Sequence, residues 1–189
     1  MRPVISNVKV FGLEDSIRAA KYPKAVDIEK LTDTLTPGIA ACGQAKQGSG
    51  HDNFLNGVIV QFDLTFSEKA WPEAERYHFL EFVSSQSTMH CASRFDIRLQ
   101  CNQYVTEASI AEAERLKQVY LDDPTEENYL ILLYNLPLGF TLTARMTTDY
   151  RQLKTIYYQR RFHKLPEWKE FCFWIETLPR FRELCLKEE

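Results

Sequence analysis

Between Gln86 and Arg98 the chain places an amide, an imidazole and two guanidinium groups in one short passage: Gln86, His90, Arg94 and Arg98. An imidazole donates a hydrogen bond or shares a proton near neutral pH. Guanidinium groups bind phosphate through paired N–H donors. Just ahead of His90 runs Ser84-Ser85-Gln86-Ser87-Thr88. Consecutive hydroxyls fit a polar cleft or open surface, because each buried one needs a partner. A second passage, Gly48-Ser49-Gly50-His51-Asp52-Asn53, combines flexible backbone with hydrogen-bonding groups. Successive N–H groups there suit an anion, and the same composition fits a surface loop before a strand. A third passage carries Arg151 and Arg160, nine residues apart. That is about two and a half helical turns, so the two point to different faces and address different parts of a large ligand, or solvent. His90, Cys91 and Cys101 offer three zinc ligands without a fourth, and no metal is expected. His78 reads as helix packing, and His163 as surface or subunit contact.

The elements that must hold these groups follow from the periodicity. Val4 to Phe11 reads as a strand and Leu13 to Ala20 as a short helix. Pro37-Gly38 should interrupt any helix between Leu31 and Ala41. Residues 43–57 read as a loop. Val58, Val60, Phe62, Leu64 and Phe66 alternate with Ile59, Gln61, Asp63 and Thr65, which is the clearest strand in the chain. Ser67 then offers a cap for a helix from Glu68 to about Val83, with Trp71, Ala74, His78 and Phe82 inward, joined by Phe79 and Val83. Ser109 and Glu112 fit a capping box for a helix from about Thr106 to Tyr120. Thr125 caps the next, which reaches roughly Tyr134. Phe140 to Met146 alternates as a strand. Thr147 or Thr148 caps a helix from Asp149 to Arg161 or Phe162, and a final helix runs from Pro166 to Thr177. The fold class is α+β: a sheet packed with several helices in a single domain over residues 1–189.

Composition narrows the classes. Apolar residues make up 44% and charged residues 26%, with a formal net charge of -3. These are values of a folded globular chain with no strongly basic surface. Arg160, Arg161, Lys164 and Lys169 form a basic region, but Glu167 and Glu170 interrupt it, so a nucleic-acid partner is not favoured. No apolar run approaches a membrane span, the start lacks a signal-peptide core, and a cytoplasmic location is expected. Five widely spaced cysteines without a Cys-x-x-Cys pair fit reduced thiols. The aromatics of 150–182 fit packing against other elements or against another subunit.

The order of motifs resembles the flavin-dependent thymidylate synthase family across roughly residues 45–175. That family carries a Gly-His-x-Ser passage before a strand; here stands Gly50-His51-Asp52-Asn53. Its Gln-x-x-Arg-His-Arg signature corresponds to Gln86-Ser87-Thr88-Met89-His90-Cys91, in which Gln86 and His90 match and both arginines are replaced. An ungapped match puts Leu99 at the catalytic serine and Cys101 at a substrate-holding arginine, with Arg94 and Arg98 nearby in another register. The family's Asn-Leu-Arg, followed by an arginine nine positions on, corresponds to Asp149-Tyr150-Arg151 and Arg160. Its Ala-Gln-Trp-Glu-Ile-Arg is loosely echoed by Leu165-Pro166-Glu167-Trp168-Lys169-Glu170.

The resemblance implies a bound FAD, with His51, Gln86, His90 and Arg151 toward the cofactor and Arg94, Arg98 and Arg160 toward a nucleotide substrate. It also implies a homo-oligomer, dimer or tetramer, since the family forms homotetramers with shared sites. The family reaction moves a one-carbon unit from folate to deoxyuridylate and reduces it through flavin. Charge-assisted contacts are worth roughly 1.5–3 kcal/mol each, so losing several should abolish that reaction. Three functions follow: a diverged nucleotide-binding protein without thymidylate synthase activity, a flavin-dependent nucleotide-modifying enzyme with an altered site, or a regulatory module that binds a protein partner on the inherited fold.

Overall fold

The computed structural model describes residues 3–187; the ends of the expected 1–189 domain, Met1, Arg2, Glu188 and Glu189, lie outside the described residues. Strand β1 (Ile5–Phe11) and helix α1 (Leu13–Ala19) form where expected. Gly12 joins them at φ 73°, and a Cβ there would meet the Gly57 carbonyl oxygen at 2.5 Å, so only glycine makes this turn. Helix α2 (Pro37–Gly43) corrects the expectation that Pro37-Gly38 only interrupts: Thr36 caps the Ile39 amide, and Pro37 occupies the first turn, where its missing N–H costs nothing.

Strand β2 (Ile59–Ser67) is followed by the largest departure from expectation. The long helix to Val83 does not form. Helix α3 (Trp71–Ala74) is one turn long, and residues 81–85 become strand β3 (Glu81–Ser85). Trp71 and Ala74 are buried as expected, whereas His78, Phe79, Phe82 and Val83 are exposed and Tyr77 and Leu80 go inside instead. The helical spacing loses to a neighbour's need: strand β4 (Thr141–Asp149) has an open edge, and pairing with Glu81–Ser85 satisfies it. Ser67 does not cap a helix; its hydroxyl donates to Glu167 Oε1 at 2.7 Å.

Helix α4 (Thr88–Cys91) and helix α5 (Ile97–Gln100) are single turns. Helix α6 (Glu107–Asp122) starts at Thr106, whose Oγ1 accepts from the Ser109 amide at 3.3 Å, so the cap lies three residues before Ser109. Glu112 pairs with Arg115 rather than closing a capping box. Thr125 caps helix α7 (Glu126–Tyr134) as expected. Strand β4 (Thr141–Asp149) keeps Thr147 and Thr148 extended, and Asp149 itself caps helix α8 (Tyr150–Arg160). Helix α9 (Pro166–Glu176) is as expected, and helix α10 (Phe181–Cys185) adds a turn after Pro179.

The strands form one antiparallel sheet in the order β1-β2-β4-β3. Register pairs Phe62 with Met146 and Leu64 with Ala144, so one face is apolar. Helices α8 and α9 cover it: Phe62 lies 4.7 Å from Trp174 and Phe66 4.9 Å from Trp168, ring centre to ring centre. The other face is polar, with Thr65 and Thr143 hydroxyls 2.8 Å apart and Asp63 paired to Arg145 at 3.2 Å. Among the described residues no helix is long and apolar enough to cross a membrane.

Candidate functional site

Helix α8 gathers the polar groups. At its start the Asp149 carboxylate accepts from the Gln152 amide at 2.8 Å. Burial raises the pKa of this carboxyl, and its bonds to the helix amides pull it partly back. One turn in, Lys154 is buried and donates to the carbonyls of Gly43 (2.7 Å) and Ala45 (2.6 Å) and to Asp52 Oδ2 (3.0 Å). Asp52 is fully buried. Its Oδ1 lies 3.2 Å from Arg151 Nε but off the hydrogen-bond direction, so that contact is ionic and Oδ1 accepts no hydrogen bond. Two cations from α8 thereby hold one carboxylate from the loop that follows α2.

This clamp places the loop. Gly48 and Gly50 take positive φ (84° and 80°), which lets the chain turn back before His51. His51 is exposed beside Asp52, next to the Arg151 pair. Further along α8, Gln47 Nε2 donates to Thr155 Oγ1 at 2.6 Å. Here the loop, α8 and the C-terminal residues enclose a cleft of about 920 Å³, with Lys46, Gln47, Thr155, Tyr158, Arg182 and Lys187 on its walls. That size suits a small-molecule ligand. Tyr158 is half-exposed, its hydroxyl accepts from the Lys187 amide at 3.2 Å, and Arg161 lies over its ring at 5.5 Å.

The other expected site residues lie elsewhere. Gln86 Oε1 accepts from the Thr143 amide at 2.9 Å beyond the end of β3 and borders the polar sheet face. His90 is exposed on α4. Arg94 donates to the His90 carbonyl at 2.9 Å and reaches Cys91 Sγ at 3.0 Å. Arg98 bridges Glu107 and Glu114 on α6. Arg160 is mostly buried: it donates to Glu73 (2.9 Å) and the Tyr77 hydroxyl (2.7 Å) and stacks over Trp168 at 5.1 Å. Glu73 also accepts from Trp168 Nε1 (3.1 Å) and lies 3.0 Å from His163 Nε2, which places His163 at an internal contact. The fold thus joins Arg151 to the His51 loop and His90 to Arg94, and keeps Arg98 and Arg160 in separate clusters. Among the described residues no three His, Cys, Asp or Glu side chains converge on a metal position.

Sequence reasoning missed Asp52, Lys154 and the cleft residues. One signal existed. Lys154 shares the i, i+3, i+4, i+7 stripe of Tyr150, Leu153 and Tyr157, so the helix must bury it.

This architecture is similar to that of flavin-dependent thymidylate synthases of known structure. Two solved structures of ThyX from Helicobacter pylori, both complexed with FAD and dUMP, share it. One matches with a TM-score of 0.72 at 15% identity, over 96% of this chain and 100% of the other. The second, at 2.31 Å resolution, matches with a TM-score of 0.73 at 15% identity, over 97% and 100%. The likeness establishes the fold. No protein-family model matches the sequence. No curated protein matches it either.

The residues at the resembling positions do not fit the diphosphate of a flavin dinucleotide. Met89 and Cys91 flank His90 without charge. Arg151 is already paired with Asp52, and the Asp149 carboxylate occupies the amides at the start of α8 that an anion would otherwise meet.

Proposed function

We propose that this chain is a nucleotide-binding protein on the flavin-dependent thymidylate synthase fold that does not methylate deoxyuridylate. The observation that supports this best is the basic, tyrosine-walled cleft of about 920 Å³ along α8. Lys46 and Lys187 supply cations for a phosphate, the Tyr158 ring offers a stacking face for a base, and Gln47 and Thr155 offer hydrogen bonds to a sugar or base edge. His51, exposed on the loop beside it, is a further contact, whereas Arg151 is held by Asp52 and is assigned none. Arg94, Arg98 and Arg160 are assigned no ligand, because each guanidinium already has protein partners. Absence of the reaction rests on Met89, Cys91, Leu99 and Cys101, which replace three charges and a hydroxyl of the resembling motif. The protein acts as a cytoplasmic homo-oligomer in this reading.

Titration calorimetry with dUMP at two salt concentrations tests the binding, and a dTMP assay with FAD, NADPH and methylenetetrahydrofolate tests the chemistry. Binding that weakens with salt, without dTMP, is expected. Sustained dTMP formation overturns the loss of activity; no heat at millimolar dUMP overturns nucleotide binding. A flavin enzyme with altered chemistry is the second reading, favoured by the FAD in both ThyX structures and by the Gln86 and His90 matches. A flavin spectrum in freshly purified protein selects it.

A further inference from the structure

Helix α7 is apolar on nearly every side after its first turn: Tyr129-Leu130-Ile131-Leu132-Leu133-Tyr134. Such a helix is normally buried all round. Here only one side is. Leu132 is fully buried, with Leu133 and Leu136 packed beside it against Leu116 and Ala92. The Tyr129 hydroxyl donates to the Thr88 and Met89 carbonyls at 2.8 and 3.0 Å. The opposite side carries Leu130 (37% exposed), Ile131 (40%) and Tyr134 (82%) along a shallow groove of about 680 Å³.

The rim of that groove is acidic. Glu126 and Glu127 line it, and neither makes an ion pair among the described residues. Charge is segregated on a larger scale as well. From Thr106 to Asn135, the hairpin of α6 and α7 with its caps, there are seven acidic and two basic residues, a formal charge of -5; the chain total is -3, which leaves +2 for everything else. An acidic rim repels nucleic acid and anionic membranes alike. An apolar stripe edged by carboxylates complements a helix with apolar residues on one face and lysine or arginine beside them.

We infer that the α6–α7 hairpin is a docking surface for a basic amphipathic helix of a partner protein. The groove runs along nine residues of helix, about 14 Å, so it takes roughly three turns of partner at a time. Leu130, Ile131 and Tyr134 supply the apolar contact, and the carboxylates set its direction and charge preference. Nucleotide binding along α8 plays no part, so the two proposals fail separately.

The experiment uses the full chain and two labelled helical peptides with the same leucine face, one flanked by lysines and one by glutamates. Fluorescence anisotropy reads binding, and a melting curve together with a far-ultraviolet circular dichroism spectrum checks that each variant is folded. The lysine peptide is expected to bind, at least tenfold more tightly than the glutamate peptide, and to weaken with salt. The Ile131→Ser and Tyr134→Ser variants, altered at exposed positions, should each lose tenfold or more. Equal binding of both peptides, no binding, or binding unchanged in the variants overturns the inference. Sedimentation adds one further outcome: if wild-type oligomers dissociate in Ile131→Ser, the groove is covered by a second copy of this chain, and the inference falls.

Discussion

Lys154 Nζ lies 3.0 Å from Asp52 Oδ2, with both side chains buried and the two residues 102 positions apart in the chain. Two backbone carbonyls complete the ammonium's shell, so all three of its donors are used. The pair closes the loop after α2 onto α8 and thereby forms one wall of the candidate cleft.

Removing one partner strands the other. Asp52→Ala leaves a buried ammonium without its counter-charge, and Lys154→Met leaves a buried carboxylate facing only Arg151. Each is expected to cost about 3–5 kcal/mol in urea unfolding. The double variant Asp52→Leu/Lys154→Met should recover much of that loss. Additive losses in the double variant would show that the two residues do not act as a pair.

How far the sequence could reveal this depends on what decided each element. Strand β2 was legible because five apolar side chains alternate without interruption. Helix α7 was legible because Thr125 caps it just after Asp123-Pro124 ends α6; the extent of α6 was legible too, although its cap is Thr106 and not the expected Ser109–Glu112 box. Strand β3 was not, since Trp71 to Val83 has helical spacing and only the open edge of β4, distant in sequence, overrides it. At the site, His51 drew attention while its neighbour Asp52 makes the contacts. Arg160 matched a family position, yet its guanidinium meets Glu73, Tyr77 and Trp168, none of which local spacing brings near.

The cleft makes a separable prediction. Lys46 and Tyr158 are exposed, so Lys46→Glu and Tyr158→Ala should leave the melting temperature nearly unchanged. Nucleotide affinity should fall about tenfold or more, since a charge-assisted contact is worth roughly 1.5–3 kcal/mol. Lys46→Glu should also flatten the salt dependence. Calorimetry showing unchanged dUMP affinity in both variants would move the site away from α8.

Arg160 should behave in the opposite way. Arg160→Met removes the ion pair with Glu73, the bond to Tyr77 and the stacking on Trp168. A loss of about 2–4 kcal/mol in stability is expected, with dUMP affinity retained under conditions where the variant is folded. A stable variant that no longer binds nucleotide would return Arg160 to the substrate role its sequence position suggested.

The thiols should sort by burial. Burial pushes the Cys172 thiol up to about 12, with Glu176 adding to the effect, and pushes Cys185 up further. A raised pKa means less thiolate at any given pH, and the thiolate is the reactive form. At pH 8, Cys42 and Cys91 should react first with a disulfide reagent. Cys101, raised by burial and by Glu114, should follow more slowly. Cys172 and Cys185 should react only on unfolding. Mass spectrometry of timed, quenched samples reads the order, and early labelling of Cys185 would contradict its placement beneath α8.

Asp149 supplies the most direct test of why phosphate contacts would be weak at the start of α8. Its carboxyl is raised above the ordinary 3.8, mainly by burial, despite the amide bonds that favour the charged form. A carboxyl with a higher pKa folded than unfolded binds more protons when folded, so its contribution to stability declines as pH rises from about 3.8 through the folded value. Asp149→Asn keeps a cap of similar strength for the Gln152 amide and removes the charge. The variant should therefore gain stability relative to the wild type as pH climbs from 4 to 7, and the two should converge below pH 4. The same change removes a negative charge from the amides that would face a flavin diphosphate, so FAD should bind more tightly at pH 7, while dUMP, held by Lys46 and Lys187 in the cleft, should bind with nearly unchanged affinity. Parallel urea curves at pH 4 and 7, with FAD and dUMP titrations at pH 7, measure both effects. A stability difference that is the same at both pH values would mean that the Asp149 charge is not penalised in the folded protein.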